Sequence, residues 1–190
     1  MDKTNNVNKT KISNYPMVSP TPIVLVGAET GGKPNYAAVG AFGVVCLAPL
    51  FYVSLKDTHY TTIGVKEHGF FSVNLPSADM VAKTDYCGVT SGHNTDKSGL
   101  FASFYDEAGK APMIAEAPMN YLCRVVNTFP INGFTIFFGE IVSTYAGEQF
   151  LTDGRADPQK ISPILGMGTT YYRLGDVIGK IFQEGKSFAP

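Results

Sequence analysis

The residues best equipped for chemistry lie between Pro49 and Lys97. An apolar run, Leu50-Phe51-Tyr52-Val53, leads through Ser54-Leu55-Lys56-Asp57 into Thr58-His59-Tyr60-Thr61-Thr62, where an amphipathic helix is expected to begin. A strand would then deliver a cation and several hydroxyls to a helix start. Unpaired N–H groups and a partial positive charge at such a start favour an anion, so Lys56 with the hydroxyl of Thr61 or Thr62 would form a phosphate seat. The polar cluster Ser91-Gly92-His93-Asn94-Thr95-Asp96-Lys97 follows and offers a second cation. The same residues also describe an ordinary strand, a helix capped by Thr58 and a solvated lysine. No glycine-rich P-loop or dinucleotide fingerprint decides between the two.

Other reactive side chains point to no further site. Cys46, Cys87 and Cys123 are odd in number, lack CxxC spacing and sit within or beside apolar stretches, so all three are expected to be structural and buried. His59, His68 and His93 lie in different segments without metal-ligand spacing, and no metal site is expected. The net charge of −1 supplies no basic field for nucleic acid and no polybasic face for a membrane surface. Charged residues make up only 16% of the chain, below the roughly 25% usual for soluble domains, which implies that a partner subunit covers part of the surface. With no apolar run of membrane-spanning length and no signal-peptide pattern, a cytoplasmic protein is expected.

The elements that must position these residues are mostly strands. Residues 1–14 are polar and poor in apolar side chains, and are expected to form a flexible arm before a single domain over 15–190. Ile23 to Gly27 reads as a buried strand, and Glu29-Thr30-Gly31-Gly32-Lys33-Pro34 as the turn of a hairpin whose second strand starts at Asn35. Ala37 to Leu47 is rich in small residues around Phe42, which suits either close approach of a flat ligand or a tightly packed sheet. A helix ending near Gly69, a strand over Phe70–Leu75 and a short helix from Asp79 to Tyr86, capped by its aspartate, are expected next. Two long strands, Asn120–Phe129 and Phe134–Tyr145, flank the turn Pro130-Ile131-Asn132-Gly133, and a last strand is expected over Thr169–Leu174. About seven strands, two or three short helices and no βαβ alternation predict a mainly β, antiparallel barrel or sandwich.

Taken in order, several of these segments resemble the flavin reductase-like, FMN-binding split-barrel family, and within it the flavoredoxin group. The likeness runs from about Pro22 to Gly175. It is carried by Gly32-Lys33-Pro34-Asn35, Val53-Ser54-Leu55-Lys56 with Tyr60-Thr61, Phe71 to Pro76, and Asp85-Tyr86-Cys87-Gly88 with Ser91-Gly92 and Asp96-Lys97; Gly139-Glu140 and Tyr172 to Gly175 support it. The resemblance implies an antiparallel split β-barrel that forms a homodimer and binds FMN near the subunit interface. It implies that Asn35, Tyr36 and Ala37 line the isoalloxazine edge, that Ser54, Leu55, Lys56, Tyr60 and Thr61 hold the phosphate, and that Ser91, Asp96 and Lys97 come from a loop closing over the flavin. Phe42 stands near a tryptophan of the relatives, Phe134 replaces their histidine, and Ser98 follows Asp96-Lys97 where they often have phenylalanine.

The activity so implied is an FMN-dependent oxidoreductase, with NADH or NADPH as hydride donor and a flavin, a metal complex or a protein as acceptor. A flavoredoxin-type electron carrier served by protein partners is the alternative, and a flavin-free binding module a third.

Overall fold

The computed structural model describes residues 8–12, 14, 19–46 and 48–188. Most of the arm expected over 1–14 lies outside the described residues, as does the boundary at 15; residues 8–12 and 14 are exposed.

Among the described residues, seven strands form the main sheet. They are β1 (Val24–Thr30), β2 (Lys33–Val39), β3 (Phe42–Cys46), β4 (Leu50–Lys56), β5 (Phe70–Leu75), β6 (Met119–Ile131) and β7 (Phe134–Ala146). Their order is β2-β1-β5-β6-β7-β4-β3, with each neighbouring pair antiparallel. β1 and β2 form the expected hairpin around Gly31 and Gly32, whose φ angles of 61° and 73° belong to a two-residue turn that glycine adopts without strain.

The sheet rolls up because its two ends share one core. Ala37 and Val39 of β2 pack in the same cluster as Phe51, Val53 and Leu55 of β4, together with Val24, Val26, Phe71, Val73, Cys123 and Phe137. Among the described residues no ladder joins β2 to β3 or β4, so the barrel is split there, as the resemblance implied. The pleat turns Leu25 and Tyr36 to the opposite face, where they meet Met80, Cys87, Phe101 and Ile114. Burial on both faces accounts for the unbroken apolar run in β1. Asn74, a polar residue inside β5, is structural: it donates to the Leu25 carbonyl and accepts from the Ile114 N–H and the Asn120 amide.

Two helices lean on this sheet, α1 (Tyr60–His68) and α2 (Val81–Val89). α1 ends at Gly69, whose left-handed φ of 68° lets its N–H reach the Val65 carbonyl. Gly64 presses α1 against β1, since a Cβ there would lie 2.0 Å from the Glu29 carbonyl oxygen.

Several expectations need correction. Thr58 does not cap α1: Asp57 and Thr58 form the turn that leaves β4, His59 takes the cap position, and no side chain bonds there. Asp79 does not cap α2, because Ala78–Met80 forms a 3-10 turn first and the Asp79 carboxylate accepts from the Ser77 hydroxyl. The described part of the small-residue segment, 37–46, divides at Gly40-Ala41 into the end of β2 and the edge strand β3. Cys46, at the end of that edge strand, is exposed, whereas Cys87 and Cys123 are buried, with thiols pushed up by burial to about 11 and about 12. The last expected strand exists as Thr170–Arg173, but it pairs with Ile164–Met167 in a small separate sheet.

Candidate functional site

Three pieces of chain converge where β2, the start of α1 and the loop after α2 meet. Asn35 and Ala37 come from β2, Tyr60 and Thr61 from α1, and Ser91 and Lys97 from the loop; together they help line an inner cleft of about 170 Å³. An outer cleft of about 330 Å³ lies between the β1–β2 turn and residues 92–97. Asn35, Tyr60, Gly92 and Lys97 line both, so the two are neighbours, and the outer one by itself reaches the size of small-molecule sites, roughly 300–1,000 Å³.

Packing brings the loop this close only because position 92 is glycine. A Cβ there would fall 2.5 Å from the Tyr60 ring and 2.6 Å from Asn35 Oδ1. The floor is equally spare, with Ala37, Ala38 and Gly88. Asn35 is fixed by donating its amide to Thr61 Oγ1 at 2.6 Å, which ties β2 to the first turn of α1. His93 anchors the loop from the other side, its Nε2 3.2 Å from the Thr58 carbonyl and its ring edge-on to Tyr60 at 5.0 Å.

Lys97 is the most unusual member. It is only 5% exposed, and its ammonium donates to the backbone carbonyls of Tyr36 at 2.7 Å and Thr90 at 3.0 Å. Among the described residues no carboxylate pairs with it. Burial pushes its pKa below the usual lysine value. The adjacent Asp96 turns outward instead, binding Lys33 at 2.6 Å and the Ser98 N–H at 2.9 Å. The Lys33 hydrogen bond, then those from Ser98, hold its carboxyl far below the ordinary carboxylate range. His59 is pushed below the ordinary imidazole value by partial desolvation and then by the charges of Lys56 and Lys97. The first turn of α1 therefore sits in a positive field.

Of the residues expected at the site, Asn35, Ala37, Tyr60, Thr61, Ser91 and Lys97 line the inner cleft and Asp96 the outer one. Five others line neither. The Tyr36 side chain is fully buried on the far face of β2, its hydroxyl against Ser103 Oγ at 2.7 Å, so only its backbone carbonyl turns toward Lys97. Leu55 points into the barrel core by the alternation of β4. Ser54 bonds the Ala41 carbonyl through its N–H, and Phe42 packs edge-on against Phe51 at 4.9 Å. The Lys56 side chain is exposed, while its carbonyl accepts from the Thr62 hydroxyl at 2.9 Å. Lys33, His59, Gly92 and His93 also line the clefts; the sequence motifs contain them, but none was assigned a contact with a ligand. Lys33, Gly92 and His93 take their place through partners distant in the chain, Asp96, Tyr60 and Thr58, which spacing alone does not reveal.

A family model for the flavin reductase like domain matches residues 17–168. The chain belongs to the flavin reductase-like family. Within this family it is similar to the flavoredoxin of Methanosarcina acetivorans, at 42% identity and a TM-score of 0.91 over 95% of this chain and 99% of that one. It is also similar to the flavoredoxin of Desulfovibrio vulgaris (Miyazaki F), at 32% identity and a TM-score of 0.86 over 94% and 100%. An uncharacterized protein of Archaeoglobus fulgidus is 30% identical over 140 residues, 72% of this chain and 77% of that protein. The flavin reductase-like fold so placed has, among its described residues, no helix long and apolar enough to cross a membrane.

Proposed function

We propose that this chain binds FMN across the two neighbouring clefts and works as a flavoprotein oxidoreductase. The observation that carries this reading is Lys97, a buried cation that no carboxylate pairs among the described residues, beside a floor of small residues and a helix start. An anionic, flat ligand fits such a place: Asn35, Ala37 and Lys97 would meet the ring, while Tyr60, Thr61 and the field of Lys56 would meet the phosphate. Bound FMN would supply the electron chemistry, taking a hydride from NADH or NADPH and passing electrons to a flavin, a metal complex or a protein. The protein's share is to orient the ring, hold the phosphate and set the local charge.

A second reading is an electron carrier served by protein partners. It is favoured by the 42% and 32% identity to two flavoredoxins over nearly the whole chain. The experiment is a visible spectrum of the protein reconstituted with FMN, followed by anaerobic addition of each nicotinamide. Bleaching within seconds by NADH or NADPH supports the enzyme, bleaching only through an added redox protein supports the carrier, and no bound flavin spectrum rejects both.

A homodimer belongs to the same proposal. Val126 of β6 and Val142 of β7 sit at the two irregularities of their ladder and are 48% and 51% exposed, while Val44 at the sheet edge is 66% exposed. Exposed apolar side chains on the paired strands β6 and β7 suit a subunit interface. Sedimentation at micromolar concentration should give twice the monomer mass of 20.5 kDa, and a monomer would refute it.

A further inference from the structure

We infer that the C-terminal arm, residues 174–188, is a clasp that closes on a second copy of this chain, an inference that rests on the homodimer reading. The root of the arm is fixed: Tyr171 donates its hydroxyl to Asp85 of α2 at 2.7 Å, and the Gln159 amide reaches the Gly175 carbonyl at 3.4 Å. Beyond Gly175 the described backbone bonds are local, with the N–H groups of Gln183, Lys186 and Phe188 donating to the carbonyls of Lys180, Gln183 and Gly185. The Lys180 N–H adds a bond to the Glu184 carboxylate at 3.0 Å. The arm is therefore shaped by its own turns, yet its large apolar side chains belong to none of the buried clusters. Val177, Ile178, Ile181, Phe182 and Phe188 are 75 to 100% exposed.

Single exposed apolar residues are ordinary, but a cluster of them along one short segment marks a contact surface. With about 150–250 Å² for each aromatic ring and somewhat less for each aliphatic side chain, they offer on the order of 800 Å², what one partner brings to a standard interface. The charges of the arm, Asp176, Lys180, Glu184 and Lys186, cancel, so it lacks the Lys- and Arg-rich face that seats a segment on anionic lipid. The same chain leaves a second apolar surface uncovered, at Val44 of β3, Val126 of β6 and Val142 of β7. A twofold axis brings the two kinds of surface together twice, the arm of one copy on the strands of the other and the reverse, and so closes the assembly. A second copy is thus the partner that accounts for both surfaces at once.

The experiment is sedimentation of the full chain over a range of concentrations, joined to photo-cross-linking from a benzophenone-bearing residue placed at position 178. The double variant Ile178→Asp/Phe182→Asp puts charge on the arm, and Ile178→Leu/Phe182→Leu keeps it apolar. The charged variant should weaken the dimer by roughly a hundredfold or more, the loss expected of two anchoring side chains. The leucine variant should dimerise like the parent. Cross-linked material should have twice the chain mass, with the benzophenone joined to peptides of β3, β6 or β7. A charged variant that dimerises as tightly as the parent, or an adduct confined to one chain, overturns the clasp while leaving the homodimer intact. A parent that sediments as a monomer overturns both. Circular dichroism of each variant checks the fold; if the charged variant does not fold, the cross-link decides alone, an adduct between two chains at those strands supporting the clasp and an adduct within one chain rejecting it.

Discussion

The Asn35 amide donates to the Thr61 hydroxyl across 2.6 Å, with both residues at least 96% buried. This single bond sets β2 against the first turn of α1, the two elements whose separation defines the inner cleft. Thr61→Val preserves shape but leaves the Asn35 amide buried without its acceptor, which costs about 1–3 kcal/mol. Thr61→Ser keeps the acceptor and should lose less. Urea unfolding of the two variants checks this, and equal stability of Thr61→Val and the parent would mean that the bond contributes nothing net.

Lys56 lines neither cleft, yet its charge reaches His59 at the start of α1. With the phosphate at that helix start, Lys56→Ala should weaken FMN binding by at most about 1 kcal/mol, about fivefold, the scale of an exposed charge acting through solvent. Riboflavin, lacking the phosphate, should bind the variant and the parent alike. Fluorescence titration of both ligands separates the contributions, and an unaltered FMN affinity would remove Lys56 from the phosphate seat.

Gly64→Ala tests the packing of α1 on β1. Alanine favours a helix by up to about 1 kcal/mol over glycine, but the new methyl would sit 2.0 Å from a backbone oxygen that no rotamer change can move. The clash should win, giving a net loss of about 1–2 kcal/mol, within the usual range for overpacking. Denaturant midpoints showing a gain in stability would contradict this contact.

The pH dependence follows from His59, whose folded pKa lies below its unfolded value of 6.5. Between those two values the unfolded chain binds the proton more readily, so this residue's contribution to stability is present above pH 6.5 and declines as pH falls. His59→Gln should therefore flatten the stability profile on the acidic side of neutrality. Proton NMR of the imidazole should also show its pKa rising when FMN is added, because an anion offsets the cations around it. A pKa unmoved by FMN would place the phosphate elsewhere.

The amino-acid sequence by itself determined the strand-rich antiparallel fold, the Gly31-Gly32 hairpin, the placement of α1 and the two long strands, since each rests on local turn chemistry or on apolar runs within one segment. It also marked Asn35, Tyr60, Thr61, Ser91 and Lys97, through order and spacing that resemble a family. Only the tertiary structure decided which way those side chains face. The pleat of β2 sends Tyr36 into the second core while Ala37 faces the first, so one residue of register decides which core a side chain joins. Cys46 is apolar in its sequence neighbourhood but exposed, because its strand is an edge. The unpaired charge of Lys97 was equally hidden, since its solvation depends on Tyr36, Thr90 and the outward turn of Asp96. Burial of a charge is a property of the elements packed around it, and those elements are brought together only by folding.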